Sequence, residues 1–526
     1  MIMKIPRLFA CLLFVLFSLL SILTHSGCTA AGFGIGAAID ARQPKKEMTI
    51  QGWEVVKLRK NARITVYRKD HEPLNGNYLG VTKMNPRTDT ADNALVVGKK
   101  GDYSTRYQIP FGNIEQIHVP GRKATGRIVG PIIGFVLDVG LVVLAANSLE
   151  FNFGFDPYCP YVYSFDGTAF QLDAEMCSNA FYRAAQRGDW ATLEHLREVH
   201  GVYKIKLANE LQESDYMDQL SLLVFEHPAG ARIYPSAAGD YYALKHLQAA
   251  RYAQGPSGSD ITALLADQDD MCWLSNPFDR DPENNTALRD TVELIFDKPE
   301  HAASAALLLN LRNTPWASAQ HRMLLALQGP AWYGELNSNA HARDVLTQAL
   351  ERENGLHFSV WNGEKWQPAG LVNVVGPAVD RAVVQEVELH GIPGKSLRIR
   401  LDCPPGYWMV NSAQIDYSYA RATVAHELFP NRAADQNGQK VTSLLSQTDG
   451  VYFSMPKAGD YAELEFDVPT AQPGTERTVM VRCNGYYTPH IQSGGEPQKA
   501  LMDELLYEPG AYNRWRLHTL NRDLKN

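Results

Sequence analysis

The sequence predicts a mainly β protein: a small β-barrel followed by tandem β-sandwich (jelly-roll-like) domains, with two or three helices among them. Three observations carry this. Short apolar runs alternating with polar residues recur along the chain, the period of strands with one wet face. Asp-Gly and Asn-Gly pairs sit between such runs and supply the positive-φ residues that tight hairpin turns need. Helical periodicity is confined to a few stretches. At 526 residues, with 45% apolar and 21% charged, the chain has room for several domains and enough apolar mass for real cores.

Residues 1–27 read as a signal peptide. Lys4 and Arg7 precede an apolar run from Leu8 to Leu23, short of the roughly 20 residues a bilayer span needs. The run ends at Ser26-Gly27-Cys28, which resembles the bacterial lipobox, although His25 departs from the aliphatic residue that motif prefers. The resemblance implies that Cys28 is lipidated with acyl chains such as palmitate and becomes the mature N-terminus. Several acyl chains anchor stably where one does not. Thr29, in place of Asp, implies the outer membrane. Cleavage after Ala30 or Ala31, giving a free secreted protein, is the alternative.

Residues 28–50 read as a tether. Gly32, Gly34 and Gly36 imitate a dinucleotide fingerprint, but no strand precedes them and no acidic residue follows at the required place. Residues 51–120 hold short strands such as Ile64-Thr65-Val66-Tyr67 and the alternating Ile114 to Val119, and suggest a small barrel similar in shape to an SH3-like or Sm-like module. Residues 121–150 form a Gly-rich apolar helix and a candidate membrane segment, Ile128 to Ala146. Asp138 near its middle costs about 3 kcal/mol on insertion, so a packed internal helix is the competing reading.

Residues 151–310 are expected to form the first sandwich, 311–355 a helical insert and 356–526 the second. Thr314-Pro315 is an N-cap and N1 pair, with Gly329 as the stop, and a second helix runs from Asn339 to Asn354. Phe165-Asp166-Gly167-Thr168-Ala169-Phe170-Gln171 has a near-copy in Trp361-Asn362-Gly363-Glu364-Lys365-Trp366-Gln367. The strand Tyr203 to Leu207 is echoed by Leu397 to Leu401, and Tyr216 to Leu222 by Trp408 to Ile415. Two matched features in the same order suggest duplication of a β-sandwich unit.

Of seven cysteines, Cys11 leaves with the signal and Cys28 is the anchor. In an oxidising compartment, Cys159 with Cys177 and Cys403 with Cys483 are the candidate disulfides, because each pair flanks neighbouring β segments; buried free thiols are the alternative. No Cys/His spacing suggests zinc. His426-Glu427-Leu428-Phe429-Pro430 begins like a metalloprotease helix but lacks the second His. No Gly-x-Ser-x-Gly elbow exists. Asp279, Asp281, Glu283, Asn285 and Asp290 alternate like a calcium loop, yet Pro282 intrudes and the turn Gly is missing. No catalytic, metal or cofactor site is assigned. A net charge of −8 without a basic stripe argues against nucleic acid. Tyr407, Trp408, Tyr486 and Tyr487 are the candidate binding aromatics; on strands such residues also belong in cores.

Cys159-Pro160-Tyr161-Val162-Tyr163-Ser164-Phe165-Asp166-Gly167 is similar to the opening of a β-rich module in uncharacterised bacterial envelope lipoproteins. The likeness continues through Glu194-His195-Leu196, Asp218-Gln219, Ala458 to Glu463 and Cys483-Asn484-Gly485-Tyr486-Tyr487. It implies an envelope address and a β fold, and brings no activity with it. The expected function is therefore a lipid-anchored, non-enzymatic binding or assembly component of the cell envelope, partnered by another envelope protein. A glycan-binding sandwich is the alternative, and an envelope hydrolase a third reading without an acid/base pair to support it.

Overall fold

The computed structural model describes residues 48–50, 63–69, 71–83, 93–99, 102–110, 113–119 and 159–525, without 257, 270, 276, 278, 279, 286, 287 and 492–495. The segment read as a signal peptide, Cys28, most of the segment read as a tether and the apolar segment within 121–150 lie outside them. No helix among the described residues is long and apolar enough to cross a membrane. The chain is mainly β, and the strand pairs are antiparallel.

The N-terminal strands form a six-stranded sheet in the order Met48–Ile50, Ile114–Val119, Arg63–Arg68, His71–Lys83, Asn93–Lys99, Asp102–Pro110. Ile64, Val66, Tyr78, Leu95, Val97, Ile109 and Ile117 bury its apolar face. The expected barrel is not closed. Among the described residues the two end strands do not pair with each other, so the bulges at Val66/Arg68 and Tyr78/Gly80 curl the sheet without sealing it.

Two sandwiches follow. In one, the sheet Arg432–Asp435, Tyr461–Asp467, Val202–Ala208, Tyr161–Phe165, Phe170–Glu175 faces the sheet His426–Leu428, Glu213–Pro228, Thr475–Pro489, Arg187–Thr192. Ile205, Leu207, Leu464 and Phe466 from the first meet Leu220, Leu222, Val224 and Val481 from the second. In the other, Tyr252–Gln254, Asp290–Asp297, Ser396–Cys403, Leu356–Trp361, Trp366–Val372 faces Gln248–Ala249, Trp408–Asp416, Ser304–Asn313, Arg381–Glu388. Leu294, Phe358 and Ile399 there meet Leu307, Leu309 and Ile415. The first is called outer and the second inner, because residues 248–416 are threaded between the two parts of the first.

The two sandwiches share one blueprint. Ile205 lies between Ser164 and Leu464, and Ile399 lies between Val360 and Leu294. Asp166 and Asn362 each accept from the two backbone N–H groups that close the hairpin, with Gly167 and Gly363 at positive φ. Ala433 N–H donates to Thr442 Oγ1 (2.9 Å), and Ala253 N–H donates to Thr262 Oγ1 (2.8 Å). Asp218 and Asn411 are each the extra residue of a bulge, without a register partner on the neighbouring strand.

The order of the matched parts gives the architecture. Residues 161–228 match 356–416, and residues 248–313 match 426–489. The chain is therefore a tandem repeat, but the first half of each repeat pairs with the second half of the other. The division into 151–310 and 356–526 separates the repeats and not the sandwiches. Alternation defines strands and faces; it does not choose partners, and either copy of a half offers a similar apolar face. The links between the halves of each repeat meet in a small sheet of Arg232–Pro235, Tyr241–Leu244 and Ala420–Arg421, so each link carries its chain from one sandwich to the other. This is the reciprocal exchange of a swapped dimer written in one chain.

Each repeat ends in helices. Pro315–Gln328, Trp332–Ser338 and Ala340–Asn354 follow the first, and Lys499–Tyr507 and Ala511–Lys525 follow the second. Thr314 and Asn339 cap their helices by accepting from Ala317 N and Ala342 N. Leu324, Leu325, Leu346, Leu350, Met502, Leu505 and Tyr512 pack the two helical groups into one cluster. Among the described residues five helices thus stand where two or three were expected, and Lys499–Tyr507 and Ala511–Lys525 lie inside the segment assigned to the second sandwich.

Candidate functional site

The candidate aromatics are interior. Tyr407, Trp408 and Tyr487 are at most 2% exposed and Tyr486 8%. Trp408 Nε1 donates to Asn354 O (2.8 Å), and Tyr407 lies under Arg516, whose guanidinium carbon is 4.9 Å from the ring centre. The strand Trp408–Asp416 is buried on both faces, with Tyr407 and Trp408 in the inner core, so these rings pack the interior and offer no stacking platform.

All five described cysteines are free and buried. The expected pairs do not form. Cys403 belongs to the inner core and Cys483 to the outer, and Cys159 Sγ meets Ser178 Oγ at 3.5 Å. Cys177 Sγ lies 3.5 Å from Cys483 Sγ instead.

A polar seam joins the sandwiches. Arg381, on the inner sandwich, pairs with Asp189 of the outer (2.9 Å) and donates to Glu175 O (2.6 Å). Burial raises the Asp189 carboxyl, but Arg381 and then Arg187 outweigh it and hold the group below its usual range. Glu213 and Asp215 lie two residues apart on one strand face, both sealed from solvent. Burial pushes both carboxyls well above the usual range, and the neighbouring Asp215 charge adds to the rise at Glu213. A cavity of about 30 Å³ nearby is lined by Cys159, Asn313, His321, Tyr407 and Tyr487. Cys159 and His321 do not make an activated nucleophile. Burial pushes the thiol up, while burial and then Arg516 push the imidazole down to about 4.

The shared blueprint also places two matched corners, where each bulged strand meets the loop after a 3-10 turn. Val441-Thr442-Ser443-Leu444-Leu445 matches Ile261-Thr262-Ala263-Leu264-Leu265, and the match runs without a gap to Val451-Tyr452 and Met271-Cys272. In the inner corner Arg312 pairs with Asp380 (3.5 Å), both buried, and Asn411 Nδ2 donates to Asp380 Oδ2 (3.1 Å). The N-terminal sheet covers this corner: Met271 packs against the sheet's apolar cluster, and Tyr78 lies within the field of Arg312.

In the outer corner Tyr486 replaces Arg312, Gln186 replaces Asp380 and Tyr452 replaces Cys272. Tyr216 stacks on Tyr486 (centroids 4.6 Å apart, 13° between planes), and Tyr452 meets Tyr486 edge-on at 5.4 Å. Tyr452 Oη donates to Gln186 Oε1 (2.5 Å), and Gln186 Nε2 donates to Asp218 Oδ2 (2.8 Å). Arg183 lies 5.7 Å from the centre of the Tyr452 ring. No described element covers this corner as the sheet covers the other. Val451, the counterpart of Met271, is 55% exposed. Of the candidate aromatics only Tyr486 reaches the corner. Tyr216, Tyr452 and Val451 were missed; the loop match was the signal for Val451 and Tyr452, and the likeness of Tyr216 to Leu222 with Trp408 to Ile415 the signal for Tyr216.

No family model and no curated protein sequence matches this chain. Among solved structures, a secreted serine protease, VesC of Vibrio cholerae, aligns over 71% of this chain and 99% of its own, at 8% identity and TM-score 0.13. The uncharacterized protein lmo2446 of Listeria monocytogenes EGD-e aligns over 67% of this chain and 30% of its own, at 10% identity and TM-score 0.15. Neither likeness is close enough to carry an argument about fold or activity.

Proposed function

We propose that this chain is an exported envelope protein, lipid-anchored through Cys28, that works by binding another envelope protein at its outer corner. The supporting observation is the inequality of the two matched corners. One is covered by a small β-sheet of the same chain, and the other presents Val451, Tyr452 and Tyr216 with no such cover among the described residues. Tyrosines suit a protein contact, since each ring offers apolar area at low entropic cost and a hydroxyl for the rim. The fitting partner is a small β-rich module with an apolar cluster at its surface, as the N-terminal sheet presents to Met271.

The test is a photo-crosslinking residue at position 451 of the full-length, membrane-bound chain, with one at 271 as the control. One dominant envelope protein captured from 451 and not from 271 supports the reading. Capture of glycan fragments in its place would favour the sugar-binding alternative. Recovery of Cys28→Ala in the membrane fraction in wild-type amount would remove the lipid anchor from the proposal.

A further inference from the structure

We propose that Cys177 and Cys483 are the site of a structural disulfide that staples the first half of the first repeat to the second half of the second. The two sulfurs are 3.5 Å apart, about van der Waals contact, and both residues are at most 2% exposed. Bond formation needs a closing of only about 1.5 Å, shared between two side chains. The turn that carries Cys177 is held in place for it. Cys177 N–H donates to Asp189 Oδ2 (2.7 Å), and Asp189 stands opposite Cys483 on the neighbouring strand. Arg381 holds Asp189 from the other side.

The location gives the bond a purpose. The halves of the inner sandwich are joined directly by the helices of 314–355. The halves of the outer sandwich are joined only through the entire inner one. In the unfolded chain these two halves are the hardest to bring together, and a cross-link between them removes the largest loop entropy the chain offers. The same bond excludes the unexchanged pairing, in which residues 161–228 would close on 248–313.

The chemistry balances with a disulfide oxidant. One cysteine thiolate attacks the oxidant's disulfide and expels a thiol. The second thiolate then attacks the mixed disulfide and expels the other thiol, so two cysteine thiols become one disulfide while the oxidant takes up two electrons and two protons. The hydrogen bond to Cys177 and then burial push the Cys483 thiol well above its usual range. The exchange therefore belongs to folding, before the sandwich closes, and the finished bond is shielded from reductant. Supply of the oxidant in the cell rests on the proposed export; formation of the bond does not.

The experiment has two arms. Full-length protein is refolded in a glutathione redox buffer, and a second sample is isolated from the envelope under alkylation of free thiols. Both are digested without reduction and mapped. A peptide joining Cys177 to Cys483, with Cys159, Cys272 and Cys403 alkylated, is expected in each. If the refolded sample carries the link and the cellular one does not, the site stands and the export reading falls. If neither carries it, or if the link joins Cys159 to Cys177 or Cys403 to Cys483, the proposal is overturned. Cys177→Ser, Cys483→Ser and the double variant should lose the link and lower Tm by the same several degrees as reduction of the wild type. Loss of stability without a link in the wild type would also overturn it.

Discussion

The inner and outer sandwiches answer one plan in two ways. Both use the same hairpin, the same threonine clasp and the same bulge, so their folds are set by equivalent local chemistry. They diverge where nothing in the plan constrains them. The inner corner is paved by a buried Arg312–Asp380 pair and closed by the N-terminal sheet; the outer is paved by tyrosines, and no described element closes it. The exposed faces diverge more gently: Lys206 lies over Tyr163 in one, and Arg400 over Trp366 in the other, at 4.6 and 4.0 Å. A duplicated scaffold holds its core chemistry while the corners specialise, and it is the corners that separate self-contact from partner contact.

The largest effect should come from the arginines that occupy one matched position, Arg187 and Arg381. Arg187 donates within its own sandwich, to Ser178 O (2.6 Å). Arg381 crosses to the other and neutralises Asp189. Arg381→Met leaves a buried carboxylate without its partner, a loss of about 3–5 kcal/mol. Arg187→Met removes one hydrogen bond, worth about 1 kcal/mol, and the lesser of the two charges that hold Asp189 down, so its loss should be the smaller. Chemical denaturation measures both. Equal losses would mean that the seam does not hold the sandwiches together.

Next in size is a pH effect from a buried carboxyl pair of the outer sandwich. Glu213 and Asp215 have folded-state pKa values raised above those of the unfolded chain. The folded pair keeps a proton that the unfolded chain has released, so stability is full below about pH 4 and falls as pH rises through the folded value, by about 1.4 kcal/mol per unit for one proton. Asp215→Asn removes one of the two buried carboxyls and the charge that adds to the rise at Glu213, and so flattens that slope. Denaturant midpoints between pH 5 and 8 should fall for the wild type and stay flatter for the variant. A wild type that gains stability with pH across that window, with no slope for Asp215→Asn to remove, would show that the pair is ionised.

A third contrast separates the corners. Met271→Asp puts a charge beneath the N-terminal sheet and should release it, seen as faster proteolysis within residues 48–119 while the sandwiches stay folded. Val451→Asp, at the matched outer position, should change stability by no more than about 0.5 kcal/mol, as exposed sites do, yet abolish crosslinking from a neighbouring position of that corner. If Val451→Asp destabilises the fold as Met271→Asp does, the outer corner is structural and the binding proposal loses its support.

What could be read in the sequence, and what could not, follows from range. The turns at Asp166-Gly167 and Asn362-Gly363, the caps Thr314 and Asn339, and the twin strands 203–207 and 397–401 are local, and their chemistry is written in adjacent residues. The duplication was visible for that reason. The exchange was not, because Ile205 pairs with Leu464 and Ile399 with Leu294, and no periodicity names a partner across such a span. The tyrosine corner was hidden similarly: Tyr216, Tyr452 and Tyr486 arrive from three strands or their flanks, and the bulge at Asp218 sets their register. The cysteine pairs inferred from neighbouring segments failed because the close pair joins the first and fourth quarters of the repeat.

The smallest contrast tests how alike the two hairpins are. Asp166 and Asn362 make the same turn bonds, but only Asp166 titrates. Burial raises it, and the turn hydrogen bonds from Ala169 and Thr168 outweigh burial and lower its pKa to about 2. The aspartate contribution is therefore present above the unfolded value of about 4 and is lost as pH falls through 2. The side chain is largely exposed, so solvent screening limits the effect to a few tenths of a kcal/mol, as for exposed charge interactions generally. Asp166→Asn converts the outer turn to the inner one. It should leave neutral-pH stability within about 0.5 kcal/mol and flatten the acid limb between pH 4 and 2, whereas Asn362→Asp should steepen it. If the two exchanges fail to mirror each other, the hairpins are alike in outline only, and the energetic equivalence of the repeats ends at their turns.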